Sequence, residues 1–322
     1  MKVIQKNEAY MMIDNQKSRL VGIVLVLSAA ILWGITGTVA QYLFQFHQFT
    51  KDWLVVARLL FAGLLLLLFS IAKRDPNVWT IWKESSLSLI YFGLLGLLAV
   101  QYTFFSAIEA SNAATATLLQ YLAPVIIVFY VTLRLKSLPT RQQVIAIFFA
   151  LVGTLLLVTN GNLQELSISG WALFWGITSA FALAFYTLQP LNLLKKYGSV
   201  IVVGWGMIIG GIGMSFIHPP WKIEGIISPI SILAVAFIVI FGTLIAFILY
   251  LESLKYLKAT ETSLLACAEP LSAASLAVIW LKVPFGIYEW AGAFCIIATV
   301  VILSRIKESK ELPLTVKVKK QA

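Results

Sequence analysis

Residues 113–124 read AATATLLQYLAP, and residues 259–270 read ATETSLLACAEP. Each is a run of small and hydroxylated residues that leads through a Leu-Leu pair to a proline. An offset of 146 aligns Ala113 with Ala259 and Pro124 with Pro270, and it also pairs Gly96 with Gly242 and Lys136 with Lys282. Nearer the start of each half, an offset of 148 pairs Gly22 with Gly170 and Gln41 with Gln189. Matched prolines, glycines and lysines at nearly one spacing mark an internal repeat.

The medium of that repeat follows from composition. Of the 322 residues, 60% are apolar and only 12% are charged, and the mean hydropathy is +0.91. A water-soluble fold cannot solvate its outside with so few charges. Soluble enzymes, disordered scaffolds and secreted disulfide modules are thereby excluded, and an all-α integral membrane protein is implied. Cys267 and Cys295 both lie inside apolar runs, which points to neither a disulfide framework nor a metal site. No nucleotide-binding loop occurs, so ATP-driven pumping would need another subunit.

A spanning helix takes about 20 apolar residues. Ten runs meet that length: 20–44, 54–72, 87–108, 113–133 and 142–158, then 170–188, 199–217, 230–251, 262–281 and 285–303. The first is too long for a signal peptide and passes unbroken through Ser28-Ala29-Ala30, so it reads as an uncleaved span. Expected boundaries are an N-terminal segment 1–19, a first repeat 20–158, a connection 159–169, a second repeat 170–304 and a basic tail 305–322. Lys and Arg obey the alternation. Of the 24, 20 fall on the side of the termini, three (Lys51, Lys222, Lys282) fall opposite, and Arg58 lies within the second span. Because basic residues stay inside, both termini are expected in the cytoplasm of a bacterial plasma-membrane protein. The +10 net charge is then an orientation signal, with no nucleic-acid partner implied. Five spans per half is an odd number, so the two copies are inverted, an arrangement that secondary transporters use to build one midplane site.

Ten spans in two halves, each with a Thr-rich lead-in to a proline, resemble the EamA family of the drug/metabolite transporter superfamily. Trp33-Gly34, Arg58 and Tyr250-Leu251-Glu252-Ser253-Leu254 fit the same pattern, and the likeness covers residues 21–304. One departure is Lys136 and Lys282, where members often carry a Gly-Glu pair. The resemblance implies a membrane carrier without a bound cofactor, in many cases an exporter of amino acids or other small metabolites.

Among single residues, Glu269 is the foremost substrate-binding or proton-coupling candidate. A carboxylate at that depth costs about 2.5–3.5 kcal/mol on insertion scales, so it should face a polar cavity or carry a proton. Packing against a neighbouring helix is its competing role. Pro124 and Pro270 each remove a helical hydrogen bond and are the expected helix breaks beside the cavity. Arg58 could pair with an anionic group of the substrate or with Glu269, but it reads first as structural, with its stem reaching the interface or its guanidinium holding neighbouring carbonyls. A softer set of cavity-lining candidates comprises Trp33, Thr36, Gln41, Gln101, Tyr102, Gln120 and Tyr121 in the first half. Thr178, Tyr186, Gln189, Thr243, Tyr250, Thr262 and Ser263 complete it in the second. Such neutral hydrogen-bonding groups suit small zwitterions, although Ser, Thr and Gln also bridge helices. In the seventh span, Gly206 and Gly210 have GxxxG spacing, which permits close approach within one chain or between two; a monomer and a homodimer both remain open.

The reading is a non-enzymatic secondary carrier, expected to export a small-molecule metabolite by alternating access. It needs no cofactor or metal, its surroundings are the lipid bilayer, and protons are the coupling partner Glu269 would offer. The rival classes are a polytopic enzyme acting on lipid and a non-transporting scaffold. The first would need paired acids, histidines or a metal cluster at a membrane face, and the second a substantial soluble domain or tail.

Overall fold

The computed structural model describes residues 2–110, 113–135, 138–159, 169–269, 271–272 and 286–304. All regular structure among them is helical. In the first repeat α1 is Lys2–Phe46 and α2 is Lys51–Ala72. The third span is α3 (Asn77–Tyr91), a π-helical segment Phe92–Leu98, and α4 (Ala99–Ala110). The fourth is α5 (Ala113–Gln120) and α6 (Ala123–Leu135), and the fifth is α7 (Arg141–Thr159). The second repeat begins with α8 (Gly170–Leu188), a short α9 (Leu191–Tyr197) and α10 (Ser199–Ser215). Next come α11 (Pro229–Val239), a second π-helical segment Ile240–Ile245 and α12 (Ala246–Ser253). The described residues end with α13 (Ala259–Leu265) and α14 (Ile287–Ser304).

Five stretches are long and apolar enough to cross a membrane: Ser18–Phe46, Lys51–Ala72, Asn77–Ala110, Gly170–Tyr197 and Pro229–Ser253. Shorter apolar helices cover Arg141–Gly153, Ser199–Ser215 and Trp290–Thr299. Of the ten expected spans, the ninth is described only as far as Ser272, and its remainder lies outside the described residues. The bundle's outside is apolar, with Phe61, Leu64, Leu68, Phe174, Phe181 and Leu233 all exposed. This is the reverse of a soluble surface and matches a lipid solvent.

The repeat is visible in the packing. α2 lies against α10 and α7 against α14, each helix meeting its own counterpart, while α4 packs on α8 and α12 on α1. At the α2–α10 crossing a Cβ on Gly63 would meet Ile208, and one on Gly211 would meet Leu60. Those two contacts exchange under the offset of 148. The π-helical segments are also counterparts, since they hold Gly96 and Gly242. Gly206 and Gly210 sit against the first of them, facing Phe92, Leu97, Leu98 and the carbonyl of Gly93. Their GxxxG spacing is thus used inside the chain.

Three features depart from the span-by-span expectation. α1 continues upstream of residue 20, because no Gly or Pro interrupts 2–21. α9 is an additional short amphipathic helix that buries Leu193, Leu194 and Tyr197, exposes Lys195 and Lys196, and stops at Gly198, whose φ is 80°. The break in the fourth span falls before Pro124, at Tyr121-Leu122, where Leu122 N–H turns back to Leu119 O at 3.2 Å. Pro124 is the second residue of α6, where its missing N–H interrupts no ladder. α13 ends in the same way, with Cys267 N–H donating to Leu264 O at 3.1 Å.

Candidate functional site

A cavity of about 50 Å3 lies where the two repeats meet, room for only a few water molecules. Helix periodicity decides what lines it. From α1 the i, i+3, i+4 face of Trp33, Thr36 and Gly37 enters, and from α4 come Val100, Gln101, Phe104 and Phe105. Arg58 of α2, Gln120 of α5, Leu183 and Tyr186 of α8, Phe247 of α12 and Glu269 complete the wall.

Arg58 does not reach the interface. It is 3% exposed, its Nε donates to Thr243 Oγ1 at 2.8 Å, and its guanidinium lies 4.7 Å from the Phe105 ring centroid. A longer contact of 3.4 Å reaches Gly242 O. Both acceptors belong to the second π-helical segment, so its irregular backbone seats the charge. Of the two structural roles expected for Arg58, the structure adopts the one that holds a carbonyl.

Glu269, 6% exposed, lies just past the break that follows α13. The Tyr121 hydroxyl is 2.6 Å from Ala266 O and 3.1 Å from Glu269 Oε2. The Arg58 guanidinium and the Glu269 carboxyl therefore line one buried space. Several polar atoms around it have no hydrogen-bond partner among the described residues: Trp33 Nε1, both amide atoms of Gln101 and the Tyr186 hydroxyl. Buried polar groups are normally paired, and these three unpaired side chains share one cavity wall. Gln120 is satisfied by a 2.6 Å bond to Ser179. Three wall residues, Trp33, Tyr186 and Phe247, form an aromatic cluster with Tyr250 behind them, with centroid spacings of 5.0–5.6 Å.

Of the fourteen softer candidates, Trp33, Thr36, Gln101, Gln120 and Tyr186 line the cavity. Tyr121, Thr243 and Tyr250 stand directly behind it; the Tyr250 hydroxyl is bonded to Thr187 at 2.8 Å. The others are placed elsewhere. Thr178, which bonds back to Phe174 O, and Gln189, which bonds to Ser88, line a second cavity of about 880 Å3, and Tyr102 packs on Trp175. Ser263 bonds to Thr260 O, Thr262 accepts from Ser253, and Gln41 is not among the lining residues. Pro270 lies outside the described residues. Sequence reasoning passed over Gly37, Phe104, Phe105 and Phe247, although their i, i+3, i+4 relation to Trp33, Gln101 and Tyr250 was readable.

Bonds bridge the helices on both sides of the cavity. Toward one face, Trp53 Nε1 donates to Pro220 O at 3.1 Å, Ile226 N to His47 O at 2.7 Å, and Lys51 pairs with Glu109 at 2.5 Å. Toward the other, Glu84 holds Lys196 and Tyr197, Ser199 bonds to Glu252, and Arg19 pairs with Glu261 at 3.7 Å.

The comparisons with known proteins agree with this architecture. The EamA-like transporter family matches residues 20–159 and again 170–305. A Salmonella typhimurium protein described as the uncharacterized inner membrane transporter YicL is 43% identical over 88% of this chain and 95% of its own. The uncharacterized transporter YyaM of Bacillus subtilis is 25% identical over 70% of this chain and 75% of its own. One solved crystal structure superposes with a TM-score of 0.69, covering 87% of this chain and 95% of that one at 17% identity, a likeness of fold alone. With both repeats matched, a close relative over nearly its whole length and an apolar helical bundle around a cavity that holds Arg58 and Glu269, this multi-pass plasma-membrane transporter of small molecules belongs to the EamA-like transporter family.

Proposed function

We propose that the protein is a secondary carrier that exports small zwitterionic metabolites, such as amino acids, by alternating access around the cavity between its repeats. The observation that carries this reading is the pairing of Arg58 and Glu269 on one buried wall with the unpartnered polar atoms of Trp33, Gln101 and Tyr186. A carboxylate on the substrate would approach Arg58, an ammonium group Glu269, and the orphaned donors and acceptors would take its remaining polar atoms. At about 50 Å3 the cavity is closed around less than a metabolite, so transport requires the bridging bonds at one face to part while those at the other hold. Both termini lie in the cytoplasm on this reading, following the basic residues. Proton exchange at Glu269 would couple the cycle, and one chain contains a complete cavity, so a monomer suffices.

The test is the extracellular metabolite profile of cells overproducing the protein beside cells producing Glu269→Gln at equal membrane levels. A small set of amino acids or related compounds should rise outside only with the unmodified protein. Equal rises with both forms would remove Glu269 from the mechanism, and no rise with either would refute export.

A further inference from the structure

The hydrogen-bond arithmetic around Tyr121 leaves one proton too few unless Glu269 supplies it. The phenol oxygen lies 2.6 Å from Ala266 O and 3.1 Å from Glu269 Oε2. A carbonyl only accepts, so the short contact takes the phenol's single proton. The second contact then needs a proton on the carboxyl, with Glu269 donating to the phenol oxygen. If Glu269 is ionised, two acceptors compete for one phenol proton. The charged one wins, because hydrogen bonds to an ionised partner are about twice as strong.

What hangs on that choice is the contact between the two broken helices. Tyr121 occupies the break between α5 and α6, and Ala266 the matching break after α13. The Tyr121 ring packs on Cys267 and Ala150, so the phenol can turn between its acceptors without leaving its seat. Ala266 O also accepts from Glu269 N–H at 3.0 Å, which keeps it paired when the phenol departs. Other groups around the carboxyl are Arg58 of α2 and Tyr186 of α8 across the cavity, Tyr250 of α12, and Cys267 on its own segment. The Arg19–Glu261 pair joins α1 to the start of α13, two turns away.

We infer that Tyr121 is a positioning residue that reports the charge of Glu269 to the helix breaks: its hydroxyl ties α13 to the first repeat while Glu269 is protonated, and swings to the carboxylate when the proton leaves for solvent in the cavity. No covalent bond other than the carboxyl O–H is broken, and the phenol keeps its own proton throughout. The inference rests on the proposed proton exchange at Glu269 and adds to it the part that would convert a proton into movement between repeats.

The experiment is pH-difference infrared spectroscopy on the full chain in phospholipid vesicles, which needs no transported compound. A titrating carboxyl band, assigned by its loss in Glu269→Gln, should appear together with a shift in a tyrosine C–O band assigned with ring-labelled tyrosine and by its loss in Tyr121→Phe. In Glu269→Gln the tyrosine band should stop responding to pH. In Tyr121→Phe the carboxyl band should move to higher wavenumber, because the acid has lost its acceptor. If Tyr121→Phe fails to fold, the labelled Glu269→Gln protein alone carries the comparison. A carboxyl band that titrates beside a motionless tyrosine band overturns the role of Tyr121 and leaves proton exchange standing. The absence of any titrating carboxyl assigned to Glu269 overturns proton exchange, and this inference with it.

Discussion

Replacing Gly63 by alanine should loosen the junction of the two repeats by a calculable amount. A Cβ at Gly63 would lie 2.9 Å from the backbone nitrogen of Ile208 and 3.0 Å from the carbonyl oxygen of Gly204. Neither is a side chain that can rotate away, so α2 and α10 must separate. Overpacking of this kind costs about 1–3 kcal/mol, offset by the roughly 0.5–1 kcal/mol that alanine gains over glycine inside a helix. The net loss is about 1–2 kcal/mol, or roughly 2–8 °C in Tm at 2–4 °C per kcal/mol. At the counterpart Gly211 the nearest atom is Leu60 Cδ2 at 2.6 Å, a flexible end that can yield, so Gly211→Ala should cost less. The double variant should lose less than the sum, since both act on one crossing. Gly37, where an added Cβ would meet nothing within 4 Å, supplies the control: Gly37→Ala should hold or slightly raise the Tm. Thermal unfolding of the detergent-solubilised proteins measures all four. A Gly63→Ala protein as stable as Gly37→Ala would refute the close crossing and the repeat-to-repeat packing built on it.

Three further outcomes follow from named contacts. Arg58→Lys should cut export about tenfold or more, since charge-assisted bonds contribute about 1.5–3 kcal/mol each and an ammonium cannot both reach Thr243 and lie flat on Phe105; export rates at matched membrane levels would show it. Ser228→Ala removes the capping box that starts α11, where Ser228 and Ser231 bond reciprocally, and should lower stability by about 1 kcal/mol in thermal unfolding without changing export. Lys196→Ala breaks an exposed pair with Glu84 and should leave the Tm nearly unchanged, because solvent screens surface ion pairs.

The helical class and the repeat were legible because both rest on composition and spacing, which survive folding unchanged. Pairing Pro124 with Pro270 placed the breaks only to within a few residues, since they fall at Tyr121-Leu122 and Ala266-Cys267, and pairing Gly96 with Gly242 marked two matched positions without their π-helical geometry. A π-helical turn has no residue signature: Ile240–Ile245 looks like any apolar run, and its irregularity emerges only when Gly242 meets Thr36 and Arg58 claims its carbonyl. Glu269 stood out because acids are costly in lipid. Arg58 was harder, since a long stem within reach of the interface has two outcomes and only packing against Phe105 selects burial. Ser263 lies off the wall beside Glu269 for a related reason, as a hydroxyl serves a backbone carbonyl as readily as a cavity.

The most direct test of a carrier built around this cavity is its accessibility from the two sides of the membrane. Gly37→Cys, in a background carrying Cys267→Ala and Cys295→Ala, places a thiol on the cavity wall where nothing crowds it. A membrane-impermeant thiol reagent applied to right-side-out and to inside-out vesicles should label it in both. Labelling from one side only, or from neither, would contradict alternating access through this cavity.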